Sequence, residues 1–430
     1  MSMRNRGLFS VALEDEASTG GEGIDSTTIY GDGIAEAEVA TRDAIEDVRH
    51  DSEEADRVFD TVDEGIDDTE TLAAIGDSLG DSAEKEIGIS DVGIAPVIIA
   101  TEALLRNLGL EQVNILPSLE SFGSKNSNVV ATRMASVAIE GVVTDAITTI
   151  KSMLAKAWKK LGDFVDGLVH LSETIVKVHI AKLRGAVKSI SDEQDKKDAK
   201  FKSATIIKAF GEPSNTHVTS ALIKVVMHTH VSVGDAFTKL DSVSGSFGSK
   251  VVEGSKDKTN AAEVDAIYKA FMKDDFGSAL SAALGGNSRL FVEATHIDAK
   301  GVNEDGTPDF RSSWSGKTPS DGDVVAGTKG ELNEILNEMD VVVKSAAHIR
   351  KGFLAMKKDM EAGAKKIEGL GDIDKGVRRA IDTSYGKYYR TLGITATTLC
   401  RLQMLALKRS LEYVGKSVKA RKGGAEKPED

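Results

Sequence analysis

Apolar residues recur every three or four positions through most of this chain, which is the spacing of one face of an α-helix. The longest such run follows residue 129, with lysines on the opposite face. Its apolar positions are Ile139, Val143, Ala146, Ile150, Met153, Ala157, Leu161, Phe164 and Leu168. The pattern predicts a long helix over about 129–189, bent near Gly162 or Gly167.

The same reading predicts further helices on both sides of this run. Towards the C-terminus we expect helices at 200–211, 216–240 and 260–283, with "SVSGSFGSKVVEGSKDKTN" (242–260) as a loop, and two long helices at 329–367 and 373–419. Towards the N-terminus the periodicity is weaker and predicts helices at 34–64, 69–79 and 93–108. Residues 1–33 are rich in Gly, Ser, Thr and Asp and are expected to be disordered.

Two segments interrupt the helical pattern. Around "NILPSLESFGSK" (114–125), Pro117 disfavours helix at the preceding residue and Gly123 keeps the segment open. In 286–327, "RLFVEATHID" is typical of a short strand and is followed by a turn-rich stretch. We therefore predict a mainly α protein, an elongated bundle of long amphipathic helices with a small β or irregular patch near 286–327.

Charge divides the chain at the first of these interruptions. Residues 1–120 carry 7 basic and 29 acidic side chains, a net charge of −22, whereas the remainder carries +8. The expected segments are an acidic, propeptide-like arm (1–120), a helical body (121–285), the small insert (286–327) and a basic helical pair (328–430). Such asymmetry indicates an interaction tail or a polyanionic partner.

The basic side chains are densest in the last predicted helices. Residues 341–422 hold 19 Lys and Arg against 7 Asp and Glu. Cations there alternate with Tyr385, Tyr388 and Tyr389, which could pack in a core or stack on bases. The candidate contacts to DNA phosphates, independent of sequence, are Arg378, Arg379, Lys387, Arg390, Lys408 and Arg409. The alternative is a solvated helical face over a core.

Other chemistry finds little support in the sequence. With 430 residues, 5% aromatic residues and a single cysteine, the composition disfavours a disulfide scaffold. Neither "GSFGSK" nor "WSGKTPS" has the full spacing of a phosphate-binding loop, and the "HTH" histidines lack partners at metal-ligand spacing. We predict no catalytic residue, cofactor or metal.

Membrane association is also disfavoured. The longest apolar run, 92–105, contains Pro96 and Glu102 and is shorter than the ~20 residues needed to span a bilayer. The basic N-terminus is followed by too short an apolar run for a signal peptide. The helix over 150–171 could lie on a membrane surface, but packing on neighbouring helices is the commoner use of such a pattern. A soluble, unsecreted protein is expected.

One region resembles a known family. Leu108 to Leu110, Pro117 to Gly123, Ala131 with Thr132, Ile139 to Gly141 and Trp158 are similar to the pattern of the internal head proteins of phiKZ-like giant bacteriophages. The similarity covers roughly 90–170, about a fifth of the chain. It implies a virion protein that is packed inside the head and that meets the host cytoplasm during assembly.

The resemblance also implies processing by a phage prohead protease, which cuts after a small residue, any residue and glutamate. Ser118, Leu119 and Glu120 fit this rule, so that the cut falls before Ser121, and Ser82, Ala83 and Glu84 form a secondary triplet. The expected partners are this protease, capsid or other internal head proteins, and phage DNA.

The sequence therefore favours a non-enzymatic structural protein made as a precursor, cut and retained with the genome. Two alternatives stay open. One is a prohead scaffold or inner-core assembly protein whose contact with DNA is incidental. The other is an effector delivered to the host with the DNA.

Overall fold

The computed structural model describes residues 32–110, 116–117, 125–284, 291–302, 308–314 and 322–423. Over these ranges the chain forms a bundle of long helices with two small two-stranded sheets, which confirms the mainly α prediction. None of the helices in the described ranges has the length and hydropathy of a membrane span. The predicted disorder of 1–33 concerns residues that lie almost wholly outside these ranges.

The acidic arm contains two helices, α1 (Asp32–Glu84) and α2 (Asp91–Asn107). The predicted break between 64 and 69 is wrong, because α1 is one continuous helix of 53 residues. Tertiary packing keeps it helical there, since Val62 and Ile66 are both buried. The link to α2 passes through Gly88 at φ 61°, where a Cβ would lie 2.8 Å from the backbone nitrogen of Val129. Glycine at this position therefore lets the link lie directly against the helix that contains Val129.

The long amphipathic run forms α3 (Lys125–His170), a π-helical segment (Leu171–Val176) and α4 (Lys177–Lys188). This matches the predicted helix over 129–189. The irregularity follows Gly167 by four residues, as a π-helical insertion rather than a break. Trp158 is fully buried and stacks on Phe353 with ring centroids 5.6 Å apart. Helix 150–171 therefore packs in the core.

The middle of the chain is more continuous than predicted. After the short helix α5 (Asp192–Asp195) come β1 (Lys200–Lys202), α6 (Ala204–Phe210) and α7 (Ser220–Phe247), which runs directly into a π-helical segment (Gly248–Glu253). The loop predicted at 242–260 is thus largely helical, and the predicted helix at 200–211 begins as a strand. Phe247, Val251 and Val252 are buried, so packing overrides the serine and glycine content.

The remaining helices lie close to the predicted positions. Helix α8 (Ala261–Ala270) continues through a π-helical segment (Phe271–Gly277) into α9 (Ser278–Ala283). Two long helices close the chain, α10 (Lys329–Glu368) and α11 (Lys375–Arg421). Thr328 and Glu331 form a reciprocal capping box at the start of α10, and Asp374 caps α11.

The small β patch contains strands β2 (Thr295–Val302), β3 (Pro308–Ser312) and β4 (Asp323–Val325). Strands β2 and β3 pair antiparallel, with Ile297 opposite Phe310. Strand β4 leaves the patch and pairs antiparallel with β1, with Phe201 opposite Val324. The predicted insert is therefore joined to the helical body by a sheet.

Two hydrophobic clusters hold the described residues together. The main cluster combines α1 residues such as Phe59 with α3, α4, α7, α10 and α11. The second cluster combines α1 and α2 residues, including Leu72 and Leu105, with the first turns of α3. The acidic arm is therefore built into both cores and is not an appendage beside them.

Candidate nucleic-acid interface

The three tyrosines in the first half of α11, Tyr385, Tyr388 and Tyr389, point into the core and not towards solvent. Tyr388 is fully buried and stacks on Phe247 with ring centroids 4.7 Å apart. Tyr385 donates its hydroxyl to the carbonyl of Met360 at 3.0 Å. Trp158 donates its indole N–H to the carbonyl of Tyr389 at 3.2 Å. These rings pack, so base stacking on them is not available in this fold.

Two of the six predicted DNA contacts are engaged within the C-terminal helical pair. Arg378 donates to the carbonyls of Leu370 and Ile367, which satisfies the open end of α10. Arg409 is buried and pairs with Glu412 at 2.9 Å. Lys408 precedes Arg409 on the same helix and is half-buried. Arg378 therefore connects the start of α11 to the end of α10, and Arg409 is paired within α11.

The other three predicted contacts face the acidic arm, together with a fourth cation, Arg401. Helices α1 and α11 run antiparallel, and their side chains form four ion pairs, which we call the charge ladder. Its rungs are Asp77 with Arg379 at 3.0 Å, Glu70 with Lys387 at 2.6 Å, Asp63 with Arg390 at 2.7 Å, and Asp56 with Arg401. Arg401 also donates to the carbonyl of Ser52 at 2.6 Å. Each rung joins residues more than 300 positions apart in sequence.

The acidic side of the ladder has a regular spacing that the sequence already contains. Asp56, Asp63, Glu70 and Asp77 are seven residues apart. Two helical turns at 1.5 Å per residue set successive carboxylates about 10 Å apart along one face of α1. This heptad spacing could have been recognised in the sequence. No comparable sequence signal marks Arg401, which was not among the predicted contacts.

Apolar contacts lie between the rungs and bring the two helices close together. Phe59 is fully buried against Gly393, where a Cβ would lie 2.5 Å from the ring Cε1. One heptad later Ile66 packs on Gly386, where a Cβ would lie 3.2 Å from its Cδ1. The interface thus has an apolar centre with glycine notches and an ionic edge.

Burial has the largest effect on the carboxylates of the two most enclosed rungs. It raises the pKa of Asp56 and Asp63, and nearby carboxylates such as Asp60 add to this, although Arg401 and Arg390 act in the opposite direction. The arginines therefore do not fully offset the cost of desolvation and of the neighbouring negative charges, so these pairs specify which residues face each other more than they add net stability. Breaking one partner would leave the other charge half-buried and unpaired, which is the costly outcome.

The predicted processing sites lie in different surroundings. Ser118, Leu119, Glu120 and Ser121 lie outside the described residues, between the end of α2 and the start of α3. Ser82, Ala83 and Glu84 form the last turn of α1, and Ala83 is 1% exposed. A protease binds extended, accessible backbone, so the second triplet is protected while α1 is folded.

The two histidines of the "HTH" stretch lie in different surroundings. His230 is fully buried beside Phe291, while His228 is exposed and 3.4 Å from Glu338. Among the described residues, His50, Asp51 and Glu54 are near enough to share a cation, but Glu54 already pairs with Lys160 at 2.9 Å. This group carries no metal assignment.

The described residues form a helical bundle in which the charged faces of α1 and α11 are matched to each other. The family comparison then identifies the group, because residues 30–416 match the phiKZ-like phage internal head proteins. The chain belongs to this family and is a structural protein of the interior of a phage head. No curated protein matches it, and neither does any solved structure.

Proposed function

We propose that this internal head protein is a precursor whose acidic arm covers cations that later contact the packaged DNA. The observation that carries the proposal is the charge ladder. Arg379, Lys387 and Arg390, picked out as phosphate contacts, are held instead by carboxylates of the arm. A carboxylate every seven residues takes the place of a phosphate backbone, and the uncut chain is repelled by DNA through its net charge of −14.

The prohead protease cuts the precursor between Glu120 and Ser121 in this proposal. Support comes from the family and from the position of the triplet between α2 and α3, where a cut interrupts neither helix. The remaining 121–430 carries +8 and tolerates a polyanion. The protein acts without catalysis, beside other internal head or capsid proteins.

The cut is tested by mass spectrometry of mature virions. A non-tryptic N-terminus at Ser121 is expected, with few peptides from 1–120. Abundant peptides that span Glu120 and Ser121 would show that the precursor is not processed there.

The role of the arm as a cover over these cations is tested in the full chain by neutralising the four carboxylates of the charge ladder. The ladder variant is Asp56→Asn, Asp63→Asn, Glu70→Gln and Asp77→Asn. The matched control removes the same charge from exposed positions of α1, as Glu36→Gln, Glu38→Gln, Asp47→Asn and Asp67→Asn. Fluorescence anisotropy with a labelled duplex measures the affinity of both over a range of salt.

The ladder variant should bind the duplex more tightly than the control, because only it leaves four cations uncompensated. Neutralising four phosphates gives a slope of log affinity against log salt of roughly −3.6. Equal affinities and equal slopes for the two variants would refute the role of the ladder as a cover.

A prohead scaffold is the second candidate, and one observation favours it. In the uncut chain Arg378, Arg379, Lys387, Arg390 and Arg409 are all engaged in contacts within the protein. A precursor that never exposes them would serve assembly alone. Absence of residues 121–430 from mature virions would support this function over DNA contact.

A further inference from the structure

We infer that cutting the precursor does not release the arm, and that residues 32–110 stay bound to the body as a separate chain. The surface that holds them is a groove of α3 and α11 that accepts an acidic amphipathic helix. This inference rests on the proposed cut after Glu120, and it adds that the cut alone leaves the DNA-contacting cations covered.

The first reason is that the arm supplies side chains to the main core from Ile45 to Ile66 of α1. Val48 packs on Gly167, Phe59 on Gly393 and Ile66 on Gly386. Ala55, Phe59 and Val62 are completely shielded from solvent. Departure of the arm would expose their partners on two different helices of the body. Interfaces of this apolar character are those of permanent complexes.

The second reason is the smaller hydrophobic cluster. Among the described residues it consists only of arm residues, such as Leu79 and Ile94, and of α3 residues between 131 and 147. The other face of this part of α3 is already apolar and exposed, since Val130, Met134 and Val137 are 60%, 60% and 62% exposed. Loss of the arm would leave these turns apolar on both faces, which water disfavours.

The third reason is where the cut falls. Leu110 and Leu116 still pack against the smaller cluster, and both precede Glu120. A cut after Glu120 therefore keeps every described contact of the arm on the arm side of the break. Cleavage removes the tether and leaves the binding surfaces intact, so only the effective concentration of the arm changes.

The groove is matched to an occupant that has both apolar side chains and carboxylates, and DNA has no such apolar side chains. Its floor has notches at Gly386 and Gly393 that accept a branched and an aromatic side chain, and its edge carries Lys387, Arg390 and Arg401. A phosphate backbone matches the edge and leaves the floor empty. Retention of the arm therefore persists at high salt, which screens the ladder but strengthens apolar contacts.

Release then requires a second event that unfolds or digests α1. The buried triplet that ends in Glu84 fits such a role, because its last turn becomes accessible only when the helix opens. The order of events is a cut after Glu120, retention of the arm, and exposure of the cations on its removal.

The test uses the full chain with the recognition sequence of a site-specific protease substituted into residues 118–123. After cleavage, size-exclusion chromatography in 0.1 M and in 1 M NaCl should show both chains eluting together, and they should separate only in denaturant. Elution of the arm as a separate chain at either salt concentration would overturn the inference. Phe59→Ala, confirmed as helical by circular dichroism before cleavage, should weaken arm retention by at least about 100-fold.

A labelled 40-base-pair duplex separates this inference from the proposed function. If the arm is retained as a cover, cleavage should change the affinity for the duplex by less than twofold. A rise of tenfold or more together with separation of the chains would refute retention and support the cover. A similar rise without separation would show that the bound arm leaves the cations accessible, which also contradicts the inference.

Discussion

Replacing Gly393 by alanine should loosen the arm from the body. A Cβ at this position would lie 2.5 Å from Cε1 and 2.9 Å from Cε2 of the Phe59 ring, with Cζ closer still. Carbon atoms in contact prefer about 3.5–4.0 Å, so the ring would have to move by roughly an ångström. Phe59 is fully buried, so this movement would have to take place within the core.

Two contributions of opposite sign set the expected change in the free energy of unfolding for Gly393→Ala. Forcing an extra methyl group into a packed core costs typically about 1–3 kcal/mol, and the severity of this overlap favours the upper end. Alanine is a better residue than glycine in a helix interior, which returns roughly 1 kcal/mol. The net expectation is a loss of about 1–2 kcal/mol from the free energy of unfolding.

Urea unfolding followed by circular dichroism measures this change, with Gly141→Ala and Gly185→Ala as matched controls. Both controls lie inside helices and have nothing within 4 Å of an added Cβ. They should raise the stability by about 0.4–1 kcal/mol, since only the propensity term acts. If the arm unfolds in a separate transition, that transition alone should shift in Gly393→Ala.

A rise in stability for Gly393→Ala equal to that of the controls would refute the close packing of α1 on α11. The double variant with Phe59→Ala provides a second check. Once the ring is removed, the added methyl group has room, so Gly393→Ala should become neutral or stabilising in that background. Simple additivity of the two changes would contradict direct contact between the residues.

Three further predictions concern buried polar groups of the body. Burial lowers the pKa of His179 to about 4 and that of His230 to about 3, so folding favours their neutral forms. As the pH falls below 6.5, the unfolded chain therefore binds protons at these two histidines before the folded chain does. Lowering the pH from 7 to 5.5 should reduce the free energy of unfolding by roughly 2.5 kcal/mol, measured by urea unfolding at the two pH values. His230→Leu should halve this pH dependence. Burial also raises the pKa of the Cys400 thiol, so iodoacetamide should label it only after unfolding, and labelling of the folded chain would contradict its burial. Arg421 is buried and donates to the carbonyl of Gly327 at 2.5 Å, so Arg421→Met should cost about 2–4 kcal/mol by thermal unfolding, whereas an unchanged midpoint would argue against this role.

Local signals in the sequence were sufficient for the two C-terminal helices. The spacing of Thr328 and Glu331 is that of a capping box, and Asp374 marks the start of α11. The predicted bounds 329–367 and 373–419 therefore lie within two residues of those observed. Local chemistry decides these ends, so a single sequence suffices.

Local signals were misleading where tertiary burial decides the conformation. Serine and glycine around Phe247 predicted a loop, yet Phe247 sits in an aromatic cluster with Tyr388 and keeps the chain helical. The same holds for α1, where the weak periodicity between 64 and 69 predicted a break, yet Val62 and Ile66 are buried and the helix continues. Contacts with distant residues outweigh the small cost of these residues in a helix.

The candidate interface was only half predictable for a similar reason. The cations of α11 and the negative charge of the arm were both visible as compositions. Their pairing, as in Asp63 with Arg390, joins residues far apart in sequence, and no local pattern reports such a contact. The sequence therefore indicated a charge difference between two segments, and the structure shows that those segments neutralise each other.

The heptad spacing of the arm also bears on the register in which α1 lies on α11. A displacement of seven residues would bring Asp63 opposite Arg401, so the ion pairs alone would tolerate the shifted alignment. Glycines are likewise seven residues apart on α11, at 386 and 393. Repeating interfaces of this kind specify alignment weakly.

One aromatic side chain removes the ambiguity. In the displaced alignment Phe59 would meet Cys400, a fully buried residue with a side chain, instead of the open backbone at Gly393. A substitution that shortens Phe59 would remove this distinction between the two alignments on α11. The register of α1 would then depend on its contacts with α3, such as the hydrogen bond that Ser136 donates to the carbonyl of Gly76.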